Sequence, residues 1–133
     1  MLRYMLDSNT CIAVMKGASI TLGGRFTRHA VQLCISTIVL GELRFGAEKS
    51  QRAAENRIAV DDFVRRLVVI DFDKDAALHF GQIRHALRRQ PIGPLDTLIA
   101  AHARSRGLIV VTDNEREFRR VPNLQVENWI RRA

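Results

Sequence analysis

The sequence predicts a single α/β domain, residues 1–133, in which helices flank a central parallel sheet. Two observations lead to this prediction. Short apolar segments recur along the chain and each stops at a polar residue, a pattern typical of buried strands. Longer stretches with helical spacing separate these segments, and strands that alternate with helices usually pair in parallel. The length of 133 residues is also the usual size of one domain with one core.

The expected elements alternate along the whole chain. Four apolar segments are expected to be strands, at residues 2–6, 33–35, 67–70 and 108–111. Six stretches are expected to be helices, at residues 9–16, 19–29, 37–48, 52–66, 74–89 and 94–106. A short last strand within residues 124–129 is expected after the turn-forming Pro122 and Asn123.

The dipeptide Gly93-Pro94 marks the start of the last long helix. Proline at the first helical position loses no intrahelical hydrogen bond, since the first N–H groups of a helix have no partner there. This start places Asp96 in the first turn of the helix.

Composition and cysteine usage indicate an ordinary globular protein of the cytoplasm, with 47% hydrophobic and 26% charged residues. The apolar run at the N-terminus is interrupted at once by Asp7, so neither export nor membrane insertion is expected. Cys11 and Cys34 show no CxxC spacing, and we interpret them as small buried hydrophobic residues without a chemical role.

The net charge of +7 comes from 18 Arg and only three Lys. Guanidinium groups bind phosphate oxygens in pairs and stack on bases, so this excess suits an RNA or an acidic protein as partner. A basic surface that only keeps the protein soluble explains the charge equally well. Candidate RNA contacts are the arginine-rich spots Arg88-Arg89, Arg104 with Arg106, Arg119-Arg120 and Arg131-Arg132, although such runs are often merely solvated.

Several acidic residues follow the expected strands or lie on nearby helices. In open parallel sheets the ligand site lies beyond the carboxyl ends of the strands. Asp7, Asp71 and Asp113 each follow an apolar segment. Glu42 and Asp96 lie within largely apolar helical stretches, which is unusual for carboxylates. These five acids are therefore the candidates for a functional site.

Each of these acids also has a purely structural explanation. Asp7 is suited to cap the first helix, because its carboxylate accepts bonds from free helix N–H groups. Asp96 is favoured in a first turn by the helix dipole. Glu42 is costly to bury unless it is paired, for example with Arg44, or bound to a metal.

A denser acidic group follows the fourth apolar segment and contains Asp113, Asn114, Glu115 and Glu117. A capped helix start is one explanation for it. Metal binding explains the whole acidic set together, because clustered carboxylates repel one another unless a cation neutralises them. Mg²⁺ and Mn²⁺ prefer such oxygen ligands and can activate water for attack on a phosphodiester.

Four blocks of sequence, in this order, resemble the VapC branch of the PIN-domain family: residues 5–9, 41–47, 92–103 and 111–118. The resemblance extends over essentially the whole chain. It implies the toxin of a type II toxin–antitoxin pair, a Mg²⁺-dependent endoribonuclease in which Mn²⁺ substitutes. It further implies that metal-activated water cleaves RNA, with tRNA the expected substrate, and that translation stops until a cognate VapB-type antitoxin binds. A homodimer, and a larger complex that reaches operator DNA through the antitoxin, are also implied.

The same resemblance assigns the site residues. Asp7 and Asp96 match the metal ligands, and Glu42 belongs to the same acidic centre. Asp113 is the preferred fourth acid, although close relatives often have Thr-Asn-Asn at this point, and Glu117 is the alternative. The stretch 88–91 is slightly shorter than is usual before this helix, so the substrate contacts of relatives are not carried over to it.

Three neighbouring polar residues, Ser8, Asn9 and Thr112, are suited to orient the carboxylates or their waters. Capping of helices explains them equally well. His102 lies on the same helix as Asp96, and we interpret it as structural, since a metal-activated water needs no general base.

Two other functions would account for part of this pattern. A phosphoacceptor receiver domain needs an acid at a middle strand and a lysine near the last strands; Asp71 would supply the first, but no lysine follows Lys74. A catalytically silent module that binds RNA or protein through arginine would retain the acids only as caps. The intact Asp7, Glu42 and Asp96 favour the nuclease over that module.

Overall fold

The computed structural model describes residues 1–130 and contains one sheet of five parallel strands in the order β3-β2-β1-β4-β5. Arg131 and Arg132, named above as candidate RNA contacts, lie outside this range. The strands are β1 (Tyr4–Leu6), β2 (Leu33–Ser36), β3 (Val68–Ile70), β4 (Ile109–Val111) and β5 (Val126–Glu127). The α/β class and the parallel sheet are therefore confirmed.

Seven helices surround this sheet within the described residues, and the six long ones match the stretches predicted from spacing. They are α1 (Ser8–Met15), α2 (Ile20–Arg28), α3 (Thr37–Lys49), α4 (Ala53–Val64), α5 (Lys74–Ala86), α6 (Pro94–Ser105) and the short α7 (Glu115–Phe118). A 3₁₀ turn, Ala30–Gln32, leads into β2. Across residues 1–130, none of the helices has the length and apolar character needed to cross a bilayer.

The strand order creates a crevice between β1 and β4. The chain runs outward from β1 to β2 and β3, and then returns to place β4 on the other side of β1. Tyr4 accordingly pairs with Leu33 on one side and with Ile109 on the other. The connections that leave β1 and β4 diverge, and ligands bind at such switch points, beyond the carboxyl ends of the strands. Asp7 and Thr112 are the residues directly after these two strands.

The core is built from the strands and from α6. Met5, Leu6 and Val110 are fully buried in the central strands. In α6, Ala100 and Ala101 are also fully buried, and their small side chains let the helix backbone approach closely. Each large apolar side chain buried in this way contributes about 1.5–3 kcal/mol to folding. The helix that carries Asp96 is thus rigidly attached to the core.

Both cysteines are buried and free, as predicted. Burial raises the pKa of the Cys34 thiol to about 12 and raises that of Cys11 well above its ordinary value. Asp7 and Glu42 add to the effect on Cys11. Both side chains therefore remain neutral thiols near pH 7 and behave as small apolar groups.

The chain beyond β5 is fastened to the core by Trp129, which is 2% exposed. Its ring packs against Tyr4 with centroids 4.9 Å apart and against His29 at 5.3 Å. The Arg25 guanidinium lies 5.5 Å from the ring centroid, and the indole N–H donates to Glu127 at 2.9 Å. This cluster joins β1, α2 and the last strand, and so it stabilises one end of the sheet.

Trp129→Ala is expected to lower the free energy of unfolding by about 3–5 kcal/mol, because a large buried ring leaves a cavity that the core fills only in part. Trp129→Phe keeps an aromatic ring there and is expected to lose less. Urea unfolding followed by circular dichroism measures both values. A loss below about 1 kcal/mol for the alanine variant would contradict the packing described for Trp129.

Candidate active site

Asp7 is a buried carboxylate, 4% exposed, at the carboxyl end of β1. One oxygen, Oδ1, accepts the backbone N–H of Thr10 at 2.9 Å and so caps α1. The other, Oδ2, accepts the hydroxyl of Thr112 at 2.5 Å. The cap and the functional role considered for Asp7 are therefore compatible, because the two oxygens have different partners and the carboxylate is held in one orientation.

Thr112 and Asn114 extend this contact from β4 to α6. Thr112 is fully buried, and its hydroxyl oxygen accepts the backbone N–H of Asn114 at 2.9 Å. The Asn114 amide donates to Oδ2 of Asp96 at 2.9 Å. A continuous series of hydrogen bonds thus runs from Asp7 through Thr112 and Asn114 to Asp96. It fixes the ends of β1 and β4 relative to the first turn of α6.

Asp96 lies in the first turn of α6, behind Gly93 and Pro94, as predicted. Burial raises the pKa of its carboxyl above the ordinary value, and the negative charges of Asp7, Glu42 and Glu117 raise it further. The hydrogen bond from Asn114 acts in the opposite direction. Asp96 therefore lies in a region of negative potential that a bound cation would relieve.

Glu42 is half-buried on α3 and accepts a hydrogen bond from the Ser8 hydroxyl in the first turn of α1. The pairing with Arg44 considered above is wrong, since Arg44 instead binds Asp61 on α4 at 2.6 Å. Arg44 points to α4 and leaves the Glu42 carboxylate without that neutralising partner. The Glu42 carboxylate thus lies on the side of α3 that faces α1, where it is available to a cation.

The two candidates for the fourth acid have different surroundings. Asp113 is exposed, and its carboxylate accepts the side-chain amide of Asn128 at 3.1 Å. Glu117 pairs with Arg120 at 3.1 Å and acts electrostatically on Asp96. The structure brings Glu117, and not Asp113, into the electrostatic group around Asp96.

Two further candidates lie apart from this group. Asn9 is exposed in the first turn of α1 and, among residues 1–130, makes no hydrogen bond to the carboxylates. Asp71 follows the edge strand β3, which β2 separates from β1. The sheet order therefore removes Asp71 from the crevice in which Asp7 lies.

The donor set fits a hard divalent cation. The polar atoms of the site are carboxylate, hydroxyl and amide oxygens, which suit Mg²⁺ or Mn²⁺. Within the described part of the chain, no three His, Cys, Asp or Glu side chains are close enough to hold an ion alone. Mg²⁺ does not require such a cage, since it usually keeps several waters and binds one or two carboxylates. Asp7 and Asp96 supply that number.

His102 has a structural position, fully buried on α6. Its Nδ1 lies 2.8 Å from the Ser36 hydroxyl, and its ring packs edge-on against Phe72. Burial lowers its pKa, which keeps the ring neutral near pH 7. Because Ser36 also caps α3 through the Ile38 N–H at 3.1 Å, this contact fixes the helix of Asp96 against the helix of Glu42. No sequence pattern points to a contact across 66 positions.

Residues 4–124 match the PIN domain. The chain belongs to the PIN-domain family. Within it, this PIN domain is 49% identical to the tRNA(fMet)-specific endonuclease VapC of Salmonella typhimurium, with 97% of this chain and 99% of the relative covered. It is 46% identical to the ribonuclease VapC2 of Haemophilus influenzae, with 98% of this chain and 100% of the relative covered. These relatives assign the PIN domain to the VapC group.

Solved structures give the same result. The VapC-like chain in the crystal structure of DNA-bound VapBC from Salmonella typhimurium matches with a TM-score of 0.93 and 49% identity, covering 97% of this PIN domain and 99% of that chain. VapBC2 from Rickettsia felis, bound to a DNA fragment from its promoter, matches with a TM-score of 0.90, 35% identity and coverage of 96% and 99%. The predicted family and fold are therefore confirmed.

Asp96→Asn is expected to stabilise the metal-free protein near neutral pH. A carboxyl whose pKa is higher in the folded state stabilises the fold when protonated, and this stabilisation is lost as the pH rises through the folded-state pKa. In EDTA at pH 7 the neutral amide avoids the repulsion, so we expect the Tm to rise by about 1–4 °C. The difference should vanish as the pH falls below the ordinary value of 3.8.

Asp62→Asn is the matched control, since Asp62 is exposed on α4 and pairs with Arg65 at 2.6 Å. It is expected to leave the Tm unchanged or slightly lower at pH 7. Thermal melts followed by circular dichroism between pH 3.5 and about pH 8 measure both variants against the unmodified protein. An Asp96→Asn variant that melts lower than the unmodified protein at pH 7 would show that Asp96 is not destabilised by its neighbours.

Proposed function

We propose that this PIN domain is the toxin of a type II toxin–antitoxin pair and an endoribonuclease that cleaves tRNA with the help of Mg²⁺. The observation that carries the proposal is the hydrogen-bonded series from Asp7 to Asp96 in the crevice between β1 and β4. The relatives named as tRNA(fMet)-specific endonucleases, at 49% and 50% identity, support tRNA, and initiator tRNA in particular, as the substrate.

The metal-binding residues proposed are Asp7 and Asp96, with Glu42 holding the ion directly or through water. Mg²⁺, or Mn²⁺ in its place, would supply an activated water for attack on the phosphodiester and neutralise charge on the leaving oxygen. The oxygen donors and the repulsion among Asp96, Asp7 and Glu42 support a hard cation over a softer one.

The hydroxyl groups of Thr112 and Ser8 position the carboxylates of Asp7 and Glu42. Thr112 donates to Asp7, whose other oxygen accepts the Thr10 N–H, and Ser8 donates to one oxygen of Glu42. A carboxylate held in this way loses little rotamer freedom when a cation binds, which favours binding. Asn114 does the same for Asp96.

Glu117 is proposed as the fourth acid in place of Asp113. Glu117 contributes to the negative potential at Asp96, whereas Asp113 is exposed and bonded to Asn128. The Arg120 guanidinium holds the Glu117 carboxylate at 3.1 Å on one side.

The proposed antitoxin groove runs between α1, α3 and α4 and encloses about 310 Å³. Its lining is mainly apolar, with Ile12, Met15 and Val60 among the residues, and it also includes Glu42 and Lys16. An extended or helical segment with apolar anchors fits such a groove, and a basic side chain on it would reach Glu42. Occupation of the groove would then obstruct the site directly.

The assembly proposed for the cell follows the solved relatives. The VapBC structures contain toxin with antitoxin, and two of them are described as bound to DNA. We propose the same for this chain: a homodimer that joins its VapB-type antitoxin and reaches operator DNA through it. Its place of action is the cytoplasm, because tRNA is there.

Asp96→Asn is expected to lower the rate of tRNA cleavage more than about 100-fold, because it removes a proposed metal ligand. Asp7→Asn is expected to do the same, while the asparagine oxygen can still accept the Thr10 N–H and cap α1. The measurement is a time course with bulk bacterial tRNA in Mg²⁺, in Mn²⁺ and in EDTA. Asp62→Asn serves as the control and should cut normally. Metal-independent fragments, or unchanged cleavage by Asp96→Asn, would overturn the proposed site.

Glu117→Gln is expected to slow cleavage about 10–100-fold, the range for groups that support a metal site. Asp113→Asn should stay within about threefold of the unmodified protein, because its carboxylate faces Asn128. Single-turnover rates at several Mg²⁺ concentrations separate weaker metal binding from slower cleavage. The reverse ranking of the two variants would restore Asp113 as the fourth acid.

A further inference from the structure

An open cleft rich in arginine, which we call the arginine cleft, lies between the end of α5 and the segment after α7. It encloses about 470 Å³ and is lined by Ala86, Leu87, Arg88, Arg89, Gln90 and Arg120. Three guanidinium groups from two distant parts of the chain therefore meet around one volume. The lining contains no acidic side chain.

The fold holds the two walls of the cleft together through Arg104 on α6. Its guanidinium donates to His79 Nδ1 at 2.8 Å and to Gln82 Oε1 at 2.7 Å, both on α5, and to the Pro122 carbonyl at 3.1 Å. The segment that carries Arg120 is thereby fixed beside α5. The convergence of the arginines is a property of the fold and not of flexible side chains alone.

The arginine cleft adjoins the carboxylates through Glu117. Arg120 binds Glu117 at 3.1 Å, and Glu117 is near enough to Asp96 to act on its carboxyl group. One wall of the cleft is thus connected to the acidic centre through a single ion pair. A polyanion that has one phosphate at the acidic centre would have its neighbouring phosphates close to Arg120.

Two of the three arginines of the cleft, Arg88 and Arg89, differ from Arg120 and from many other arginines in this chain, since Arg120 is paired with Glu117. Arg44, Arg52, Arg57, Arg65 and Arg119 each bind an acidic side chain within 4 Å. Among residues 1–130, Arg88 and Arg89 form no ion pair; Arg88 donates instead to the His85 carbonyl at 3.0 Å, and both residues line the cleft. Positive charge that the protein does not neutralise itself is available to an anion.

We propose that the arginine cleft binds backbone phosphates of the RNA next to the bond that is cut. This inference rests on the proposed nuclease function and adds the place where the substrate is gripped. Guanidinium groups bind phosphate oxygens in pairs, and the contact does not depend on base sequence. It also compensates the repulsion that the carboxylates exert on an approaching polyanion.

The test is tRNA binding in EDTA, where the unmodified protein can be used and metal-dependent cleavage does not interfere. Arg88→Ala with Arg89→Ala is compared with the charge-matched control Arg52→Ala with Arg65→Ala, the two residues that flank α4. The cleft variant is expected to bind labelled bulk tRNA about tenfold or more weakly at 100 mM salt. The slope of log Kd against log salt should fall by about 1–2 units, since two phosphate contacts are lost.

The controls separate charge from structure. Arg88→Lys with Arg89→Lys keeps both charges and is expected to retain most of the salt dependence while losing the paired hydrogen bonds. Melting curves should place all three double variants within about 2 °C of the unmodified protein, because the sites are exposed. Weakening as large in the lysine variant or in the α4 control as in the cleft variant would overturn the proposal.

The outcomes for the arginine cleft can be distinguished from those for the proposed nuclease function. A protein that cuts tRNA while the cleft variant binds and cuts normally overturns the cleft and leaves the nuclease intact. A protein that cuts no RNA but loses tRNA affinity selectively in the cleft variant supports the cleft and overturns the nuclease. In the cleft variant the loss should appear mainly as a higher tRNA concentration for half-maximal cleavage, since its arginines hold substrate and do not touch the reacting atoms.

Discussion

The hydrogen bond from Thr112 to the buried Asp7 carboxylate is the contact on which the rest of the site depends. It joins the ends of β1 and β4, the two strands whose connections diverge. A buried carboxylate requires donors, and here the fold supplies them from Thr10 and Thr112. Thr112 also accepts the Asn114 N–H, and the Asn114 side chain in turn donates to Asp96. The positions of the Asp7 and Asp96 carboxylates are therefore coupled. One threonine hydroxyl therefore organises acids that are 89 positions apart in the sequence.

Much of the fold was predictable because burial imposes local patterns. The apolar segments at 33–35 and 108–111 are short and end at polar residues, which favours buried strands, and Gly93-Pro94 marks the start of α6 to the residue. Asp7, Glu42 and Asp96 could be named as candidates from their positions, whereas their selection from the five acids came from the family resemblance. These features lie within short stretches of the chain, and the sequence displays them directly.

The remaining details depend on contacts that no short window contains. Asp113 and Glu117 both follow β4, and only the turn into α7 brings the first against Asn128 and the second near enough to Asp96 to raise its pKa. Similarly, the pairing of Arg44 with Asp61 follows from how α3 packs on α4, and it could not be distinguished from a pairing with Glu42. The contact between Ser36 and His102 depends on the order of strands in the sheet. The direction of a side chain is set by tertiary packing, and the sequence alone does not display that packing.

The two roles of Asp7 have a consequence for how this protein tolerates genetic change. Its Oδ1 is part of the scaffold of α1, whereas the Asp96 carboxylate is held by a single amide and repelled by its neighbours. A substitution at position 96 that abolishes toxicity leaves a well-folded protein that can still bind its partner. A substitution at position 7 that removes the side-chain oxygen also removes the cap of α1 and lowers the stability of the fold. Position 96 can therefore change at a smaller cost in stability than position 7.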